Sequence, residues 1–406
     1  MSSITISHST GILSGSVALP SSKSLSNRVL ILQALSNGCI TVDNLSDARD
    51  TKIMQRALTG RDVEVNIEDA GTAMRFLTAY FCATNQHKIL TGTARMCERP
   101  IKVLVDALNH LGFDLKYLAK DGYPPIEIRP IDRTLLKKQV SVAGDVSSQY
   151  ITALLMIAPV LYEGLQIDIT TELSSEPYIA MTITLMRRAG ININISGNDI
   201  LVAPGSFLKT HYNISGDWSA ASYWYSMVML STGSELYLKN MQLDDEQGDK
   251  KVIEWARGMG VVTEVFKDGI LIHSSLPSTP ALEYDFTDTP DLAQTMIVCC
   301  TARGMAARFK GLESLRIKET DRIAALQNEL QKCGVELIEI ESGLFTLRGD
   351  FVMPKEPIAT YHDHRMAMAF APLALLGPIT IDEPDVVAKS YPSFWEEMKK
   401  VGFTIS

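Results

Sequence analysis

No stretch of this chain approaches the roughly 18–20 uninterrupted apolar residues that a membrane-crossing helix needs. The best candidate, 151–161, is short and contains Pro159. Positive charge is also scarce: 38 Lys and Arg stand against 47 Asp and Glu, a formal net charge of −9. Nucleic acid and anionic membranes draw cationic surfaces, so neither is an expected partner. The six cysteines (Cys39, Cys82, Cys97, Cys299, Cys300, Cys333) include no C-x-x-C pair. That pattern reads as reduced, mostly buried thiols and not as a disulfide frame. His362 and His364 have no Cys or acidic run at zinc-ligand spacing, so no metal is expected. Met-Ser-Ser-Ile-Thr-Ile at the N-terminus alternates like a strand and lacks the basic and apolar regions of a leader. The cytoplasm is the expected compartment.

What is present is enough apolar sequence for two cores: 406 residues, 46% hydrophobic and 21% charged. A chain of this length is expected to divide into two domains. One event recurs along it. A short polar cluster is followed at once by an almost wholly apolar run, first at 21–24 into 29–35, then at 69–72 into 73–82 and at 144–149 into 150–161. The later copies are 216–219 into 220–230, 287–291 into 292–300 and 362–365 into 366–376. Each cluster reads as an N-cap, and a helix apolar all round must be buried all round. Stretches such as 139–143, 165–170, 236–238 and 345–347 alternate like strands, and 101–111 and 320–333 read as amphipathic helices. The expected architecture is α/β: two domains of three αβ units each, with buried helices at the centre and sheets outside.

Several such helices would start near one another, and helix N-termini offer free N–H groups and a positive dipole end. Cations lie at or beside the ends of elements: Lys23, Arg28, Arg75, Arg99, Arg316, Lys318, Arg322 and Arg365, with Lys389 near the C-terminus. In an acidic chain this placement points to a ligand bearing several phosphates or carboxylates. Asp291 and Glu319 lie among the cations, which favours their ionised, basic forms.

The motifs are more specific. Lys23-Ser24-Leu25-Ser26-Asn27-Arg28 resembles the KSxSNR signature of the EPSP synthase family, the 3-phosphoshikimate 1-carboxyvinyltransferases. Ala70 to Arg75 resembles its AGTAMR loop, Glu98-Arg99-Pro100 its ERP, Ser147-Ser148-Gln149 its SSQ, and Ser175 to Tyr178 its SxPY. Pro290-Asp291, Lys318 to Arg322 (KETDR), Asp363 to Met368 and Ala388-Lys389 follow in the family's order.

This resemblance implies the enolpyruvyl transferase fold, an inside-out α/β barrel in two domains. They would comprise 20–215, and 1–19 with 216–406. It also implies transfer of the enolpyruvyl group of phosphoenolpyruvate to the 5-hydroxyl of shikimate 3-phosphate by addition and elimination, with release of phosphate. By resemblance, shikimate 3-phosphate is held by Lys23, Ser24, Arg28, Ser147, Ser148, Gln149, Ser175, Tyr178, Asp291, Ser314 and Lys318. Phosphoenolpyruvate is held by Lys23, Gly71, Arg99, Gln149, Arg322, Arg365 and Lys389. Asp291 takes the hydroxyl proton and Glu319 handles the methylene proton, with Lys23, His364 and Lys389 stabilising charge. No cofactor is implied; the partners are the two small substrates, and the expected state is a monomer.

The chain departs from the family pattern at four places. Asp69 and Ser314 stand where Asn is common, Phe76 stands where Pro is frequent, and the second unit is short around 58–65. Two rival readings stand beside this one. One is a UDP-N-acetylglucosamine enolpyruvyl transferase, whose reactive cysteine invites comparison with Cys97. The other is a relative that binds shikimate phosphate without turnover.

Overall fold

The computed structural model describes residues 2–243, 247–276 and 281–406. Two compact units emerge: one of 23–46 with 50–214, the other of 1–22, 47–49 and 215–406.

The first unit carries α1 (Lys23–Leu35), α2 (Arg49–Thr59, all but its first residue), α3 (Gly71–Ala83), α4 (Lys102–Leu111), α5 (Ser148–Ile157) and α6 (Glu176–Arg188). Its core is built from the near-continuous apolar runs seen in the sequence. Of the thirteen residues of α3, all but Thr72 are buried. α1, α3, α5 and α6 pack on one another, and three sheets surround them. Two of these sheets have four strands (193–196, 199–202, 165–169, 139–142; and 64–66, 88–91, 126–129, 114–117), and the third pairs 210–213 with 40–43. Alternation explains the one-sided burial of the strands: in 165–169, Leu165, Ile167 and Ile169 point inward. Each large apolar side chain taken out of water contributes roughly 1.5–3 kcal/mol, most of it offset by lost chain entropy.

The second unit repeats the plan with α7 (Trp218–Leu230), α8 (Val252–Gly258), α9 (Ala293–Ala302), α10 (Arg322–Lys332), α11 (His364–Phe370) and α12 (Phe394–Lys400). Its sheets are 261–266, 269–274, 235–239, 14–18; then 283–285, 308–310, 344–349, 335–341; and 379–382, 3–8, 403–405. Strands 3–8 and 14–18 from the N-terminus therefore complete sheets of the C-terminal half.

The expectation of buried helices inside outer sheets is borne out, but the capping is not uniform. Ser147, Asp217 and Asp363 accept backbone N–H bonds at the starts of α5, α7 and α11. At α3 the cap position is Ala70 and no side chain caps it, while α9 is entered through a 3-10 turn at 290–292. The amphipathic helix expected from Thr320 begins instead at Arg322, because Asp321 takes the cap and accepts from the amides of Ile323 and Ala324. Among the described residues no helix is long and apolar enough to cross a membrane.

Candidate functional site

Each unit gathers charged side chains at the starts of its buried helices. In the first, Lys23 opens α1 and lies 3.1 Å from the buried carboxylate of Asp50 on α2. Arg28, one turn on, is 3% exposed. Its Nε donates to Thr182 Oγ1 at 2.8 Å, Nη1 to the Ser24 carbonyl at 3.1 Å and Nη2 to the Tyr178 carbonyl at 3.1 Å. The guanidinium also lies over the rings of Phe76 and Tyr178, at 5.4 and 5.9 Å. All these partners are neutral. Burial pushes the pKa of Arg28 down to about 10, with Tyr178 acting the other way. A buried cation without a counter-charge is costly, and an anionic ligand would relieve that cost.

The start of α3 is shaped by close approach. A Cβ on Gly71 would fall 2.6 Å from Nη2 of Arg99, so only glycine lets that buried guanidinium lie across the helix end. The Pro100 carbonyl accepts from Arg75 Nη2 and from Tyr150 Oη, both at 2.7 Å, which ties α3, α5 and the Arg99 loop together. Gln149 reaches Thr72 Oγ1 at 3.4 Å. Ser147 caps α5, Ser148 is its first residue, and Ser175 precedes α6 in a left-handed conformation (φ 58°). Thr182 links α6 to Thr152 of α5 at 3.4 Å. Lys23, Ser24, Arg28, Gly71, Arg99, Ser147, Ser148, Gln149, Ser175 and Tyr178 thus lie at or next to the starts of four packed helices. Asp69 lies half-buried in the turn before α3.

In the second unit the charges alternate. Arg322, 2% exposed, donates from Nε to Asp363 at 2.7 Å, from Nη2 to Glu319 at 2.8 Å and from Nη1 to Asp291 at 3.4 Å. Asp291 also pairs with Arg365 Nη2 at 2.6 Å, and Glu319 lies 3.6 Å from buried Lys389. The order is Lys389, Glu319, Arg322, Asp291, Arg365: each of the two carboxylates sits between two cations. Burial alone would depress the Arg322 pKa, but the charges of Asp363 and Glu319 overcome it and raise the pKa above the usual arginine value. Arg365 is fixed by the Tyr223 hydroxyl at 3.2 Å and the Asp291 carbonyl at 3.1 Å. Lys318 is extended and half-buried ahead of α10, so Glu319 belongs to a loop and not to a helix face.

Some sequence-predicted residues stand apart. Ser314 lies half-buried in the 3-10 turn 313–317 and, among the described residues, makes no hydrogen bond into the cluster. His364 is buried with Nδ1 3.6 Å from Asp363, whereas His362 is exposed against Glu383, so the two rings diverge. Among the described residues no His, Cys, Asp and Glu group has the form of a metal site.

Other residues escaped the sequence reading. Asp249 is buried and hydrogen-bonded to Ser219 on the first turn of α7, beside Gln247, which accepts the Trp218 amide at 3.1 Å. Its carboxyl is pushed up to about 7, chiefly by burial and then by the charge of Asp291, with Ser219 and Arg365 opposing. Asp50, Tyr223 and Asp363 likewise owe their places to distant packing. Only Asp363, within the Asp-His-Arg motif, carried a sequence signal.

Known proteins resemble this chain over its length. The profile of the family EPSP synthase (3-phosphoshikimate 1-carboxyvinyltransferase) matches residues 8–69 and 55–398. A 3-phosphoshikimate 1-carboxyvinyltransferase of Bacteroides fragilis (strain YCH46) is 45% identical over 397 residues, covering 97% of this chain and 96% of the relative. The Aliivibrio salmonicida (strain LFI1238) protein of the same name is 33% identical over 425 residues, covering 96% of this chain and 97% of the relative. Among solved structures, EPSP synthase from Acinetobacter baumannii superposes with a TM-score of 0.76 at 20% identity, covering 99% of this chain and all of that one. The enolpyruvyl transferase NikO from Streptomyces tendae gives 0.73 at 15% identity, covering 100% and 98%. At such identities the structural matches speak for the fold.

Proposed function

The chain belongs to the EPSP synthase family, and from that premise we propose that it transfers the enolpyruvyl group of phosphoenolpyruvate to the 5-hydroxyl of shikimate 3-phosphate. The observation that carries this reading is the alternation around Arg322, in which Asp291 and Glu319 each lie between two cations. A polyanionic substrate competes for those cations and leaves carboxylates free to take protons.

In this reading the substrate carboxylate meets Arg28, whose donors otherwise end on neutral acceptors. Ser147, Ser148, Ser175 and Lys23 take the ring phosphate, and Ser24, Gln149, Tyr178, Ser314 and Lys318 complete the acceptor's contacts. Phosphoenolpyruvate falls to Lys23, Gly71, Arg99, Gln149, Arg322, Arg365 and Lys389. Asp291 removes the proton of the attacking hydroxyl as the new C–O bond forms. The methylene carbon gains a proton in that step and loses one in the next, when the C–O bond to phosphate breaks; Glu319 handles both. Lys23, His364 and Lys389 stabilise the charge that develops. The chain works as a monomer without a cofactor, and in the cytoplasm, where its six free thiols stay reduced.

Phosphate release from phosphoenolpyruvate, measured with and without shikimate 3-phosphate, tests the reading. Release only with the acceptor is expected. No release at saturation with acceptor binding retained would establish a binding protein instead. Release only with UDP-N-acetylglucosamine would establish the other transferase.

A further inference from the structure

The loop that enters the Asp363-His364-Arg365 segment holds two consecutive non-glycine residues in the left-handed region, Tyr361 (φ 55°) and His362 (φ 56°). Two such residues in a row persist only where surrounding contacts over-determine them. The contacts come from two buried or half-buried glutamates outside the motifs.

Glu329, 1% exposed on α10, accepts the Ala359 amide at 3.0 Å and the Tyr361 hydroxyl at 2.7 Å. It pairs with Lys332 at 2.6 Å, and Lys332 in turn donates to the Pro357 carbonyl at 2.8 Å. On the other side Glu383 accepts Thr360 Oγ1 at 3.1 Å and meets His362 Nδ1 at 3.1 Å. The next residue, Asp363, caps α11 through the Arg365 amide at 2.8 Å and receives Arg322 Nε at 2.7 Å.

Helix α10 therefore grips this loop twice from one face. Arg322 and Glu329 are seven residues apart, two turns, so their side chains share a stripe. One end of the stripe holds Asp363 and the other holds Ala359 and Tyr361. The rigid distance between the grips sets where the intervening turn, and hence Arg365, comes to rest.

We infer that Glu329 and Tyr361 are positioning residues for the transfer reaction, locking the 357–362 turn so that Arg365 and Arg322 hold Asp291 between them. This rests on the proposed transfer function. Neither residue touches the charged chain Lys389 to Arg365, so they act only through the geometry of the segment. The effect should fall on phosphoenolpyruvate, which Arg322 and Arg365 serve, and spare shikimate 3-phosphate, whose carboxylate and phosphate belong to residues of the other unit.

The test is steady-state kinetics on Tyr361→Phe, Glu329→Gln and the double variant, with hydrogen exchange of peptides spanning 357–365. Loss of a neutral hydrogen bond is worth about 2–13-fold and of a charged one about 10–150-fold. Tyr361→Phe removes a bond to a carboxylate and should lower kcat/KM for phosphoenolpyruvate by about 10-fold, and Glu329→Gln by about 50-fold. KM for shikimate 3-phosphate should stay within twofold. The double variant should be no worse than Glu329→Gln, because both remove one contact network. Exchange across 357–365 should quicken in both single variants. Unchanged kinetics and exchange in Tyr361→Phe would overturn the inference, even if Glu329→Gln fails to fold. Equal rises in KM for both substrates would also overturn it. If the wild-type chain releases no phosphate, the transfer reading fails by itself, and unchanged exchange would separately refute the lock.

Discussion

Arg28 and Arg322 are both buried arginines at or near the starts of helices in similar αβ units, yet their surroundings are opposite. Arg28 spends its donors on a hydroxyl and two carbonyls between two aromatic rings, whereas Arg322 spends its donors on three carboxylates. Burial lowers the pKa of the first, and neighbouring charge raises that of the second against the same burial. The same local fold thus serves two purposes. One arginine lies among neutral acceptors, and the other is the hub of three carboxylates.

The contrast breaks most visibly at the hub. Arg322→Met leaves Asp363, Glu319 and Asp291 without their common partner, which should destabilise the fold by about 3–5 kcal/mol. Phosphate release should fall at least about 1,000-fold, as expected when a preorganised charge network is lost. Thermal denaturation and phosphate release check the two halves of this expectation. Arg28→Met should behave in the reverse way. Removing a cation that lacks a counter-charge leaves stability unchanged or raised. Affinity for shikimate 3-phosphate should drop about 100-fold through loss of a charge-assisted contact.

Gly71→Ala sharpens the picture of how the first cluster is built. The new Cβ meets the mobile end of Arg99, not backbone, so the fold tolerates it while Arg99 moves. KM for phosphoenolpyruvate should rise about 10-fold with little change in melting temperature, since one charged contact is displaced.

Asp249 supplies the pH dependence. Its folded pKa of about 7 lies above the ordinary 3.8, so the folded state binds more protons than the unfolded one between those values. Stability contributed by this group is present below about pH 4 and lost as pH rises through 7. Asp249→Asn should therefore stabilise the chain at pH 8, by about 1–4 kcal/mol, and much less at pH 5. Melting curves across that range decide it. Phe76→Leu should have the smallest effect: loss of one ring beneath Arg28 weakens shikimate 3-phosphate binding by about 2–5-fold.

The fold was legible because it repeats. Each of six polar clusters announced an apolar run, and a run apolar on all sides has nowhere to go but the interior. Caps were less legible: Asp321 takes the cap of α10 and moves its start two residues beyond the expected point. The cations, Asp291 and Glu319 could be read because charges at element ends in an acidic chain are chemically conspicuous, whereas Gly71, Ser147, Ser148, Gln149, Ser175 and Tyr178 were reached only through the family resemblance. Asp50, Asp249 and Glu329 could not be read, since an acidic residue on a helix or loop looks solvated until distant chain buries it. Phe76 read as a departure beside a motif, and packing turned it into part of the Arg28 environment. The Asp69 position, in the half-buried turn before α3, has no comparable explanation.

The division of labour between the two arginines is tested most directly by calorimetric titration of shikimate 3-phosphate into Arg28→Met and Arg322→Met. The account predicts about 100-fold weaker binding to the first and binding within about threefold of wild type to the second, with turnover abolished in the second. Equal losses of affinity in both, or wild-type affinity in Arg28→Met, would contradict it.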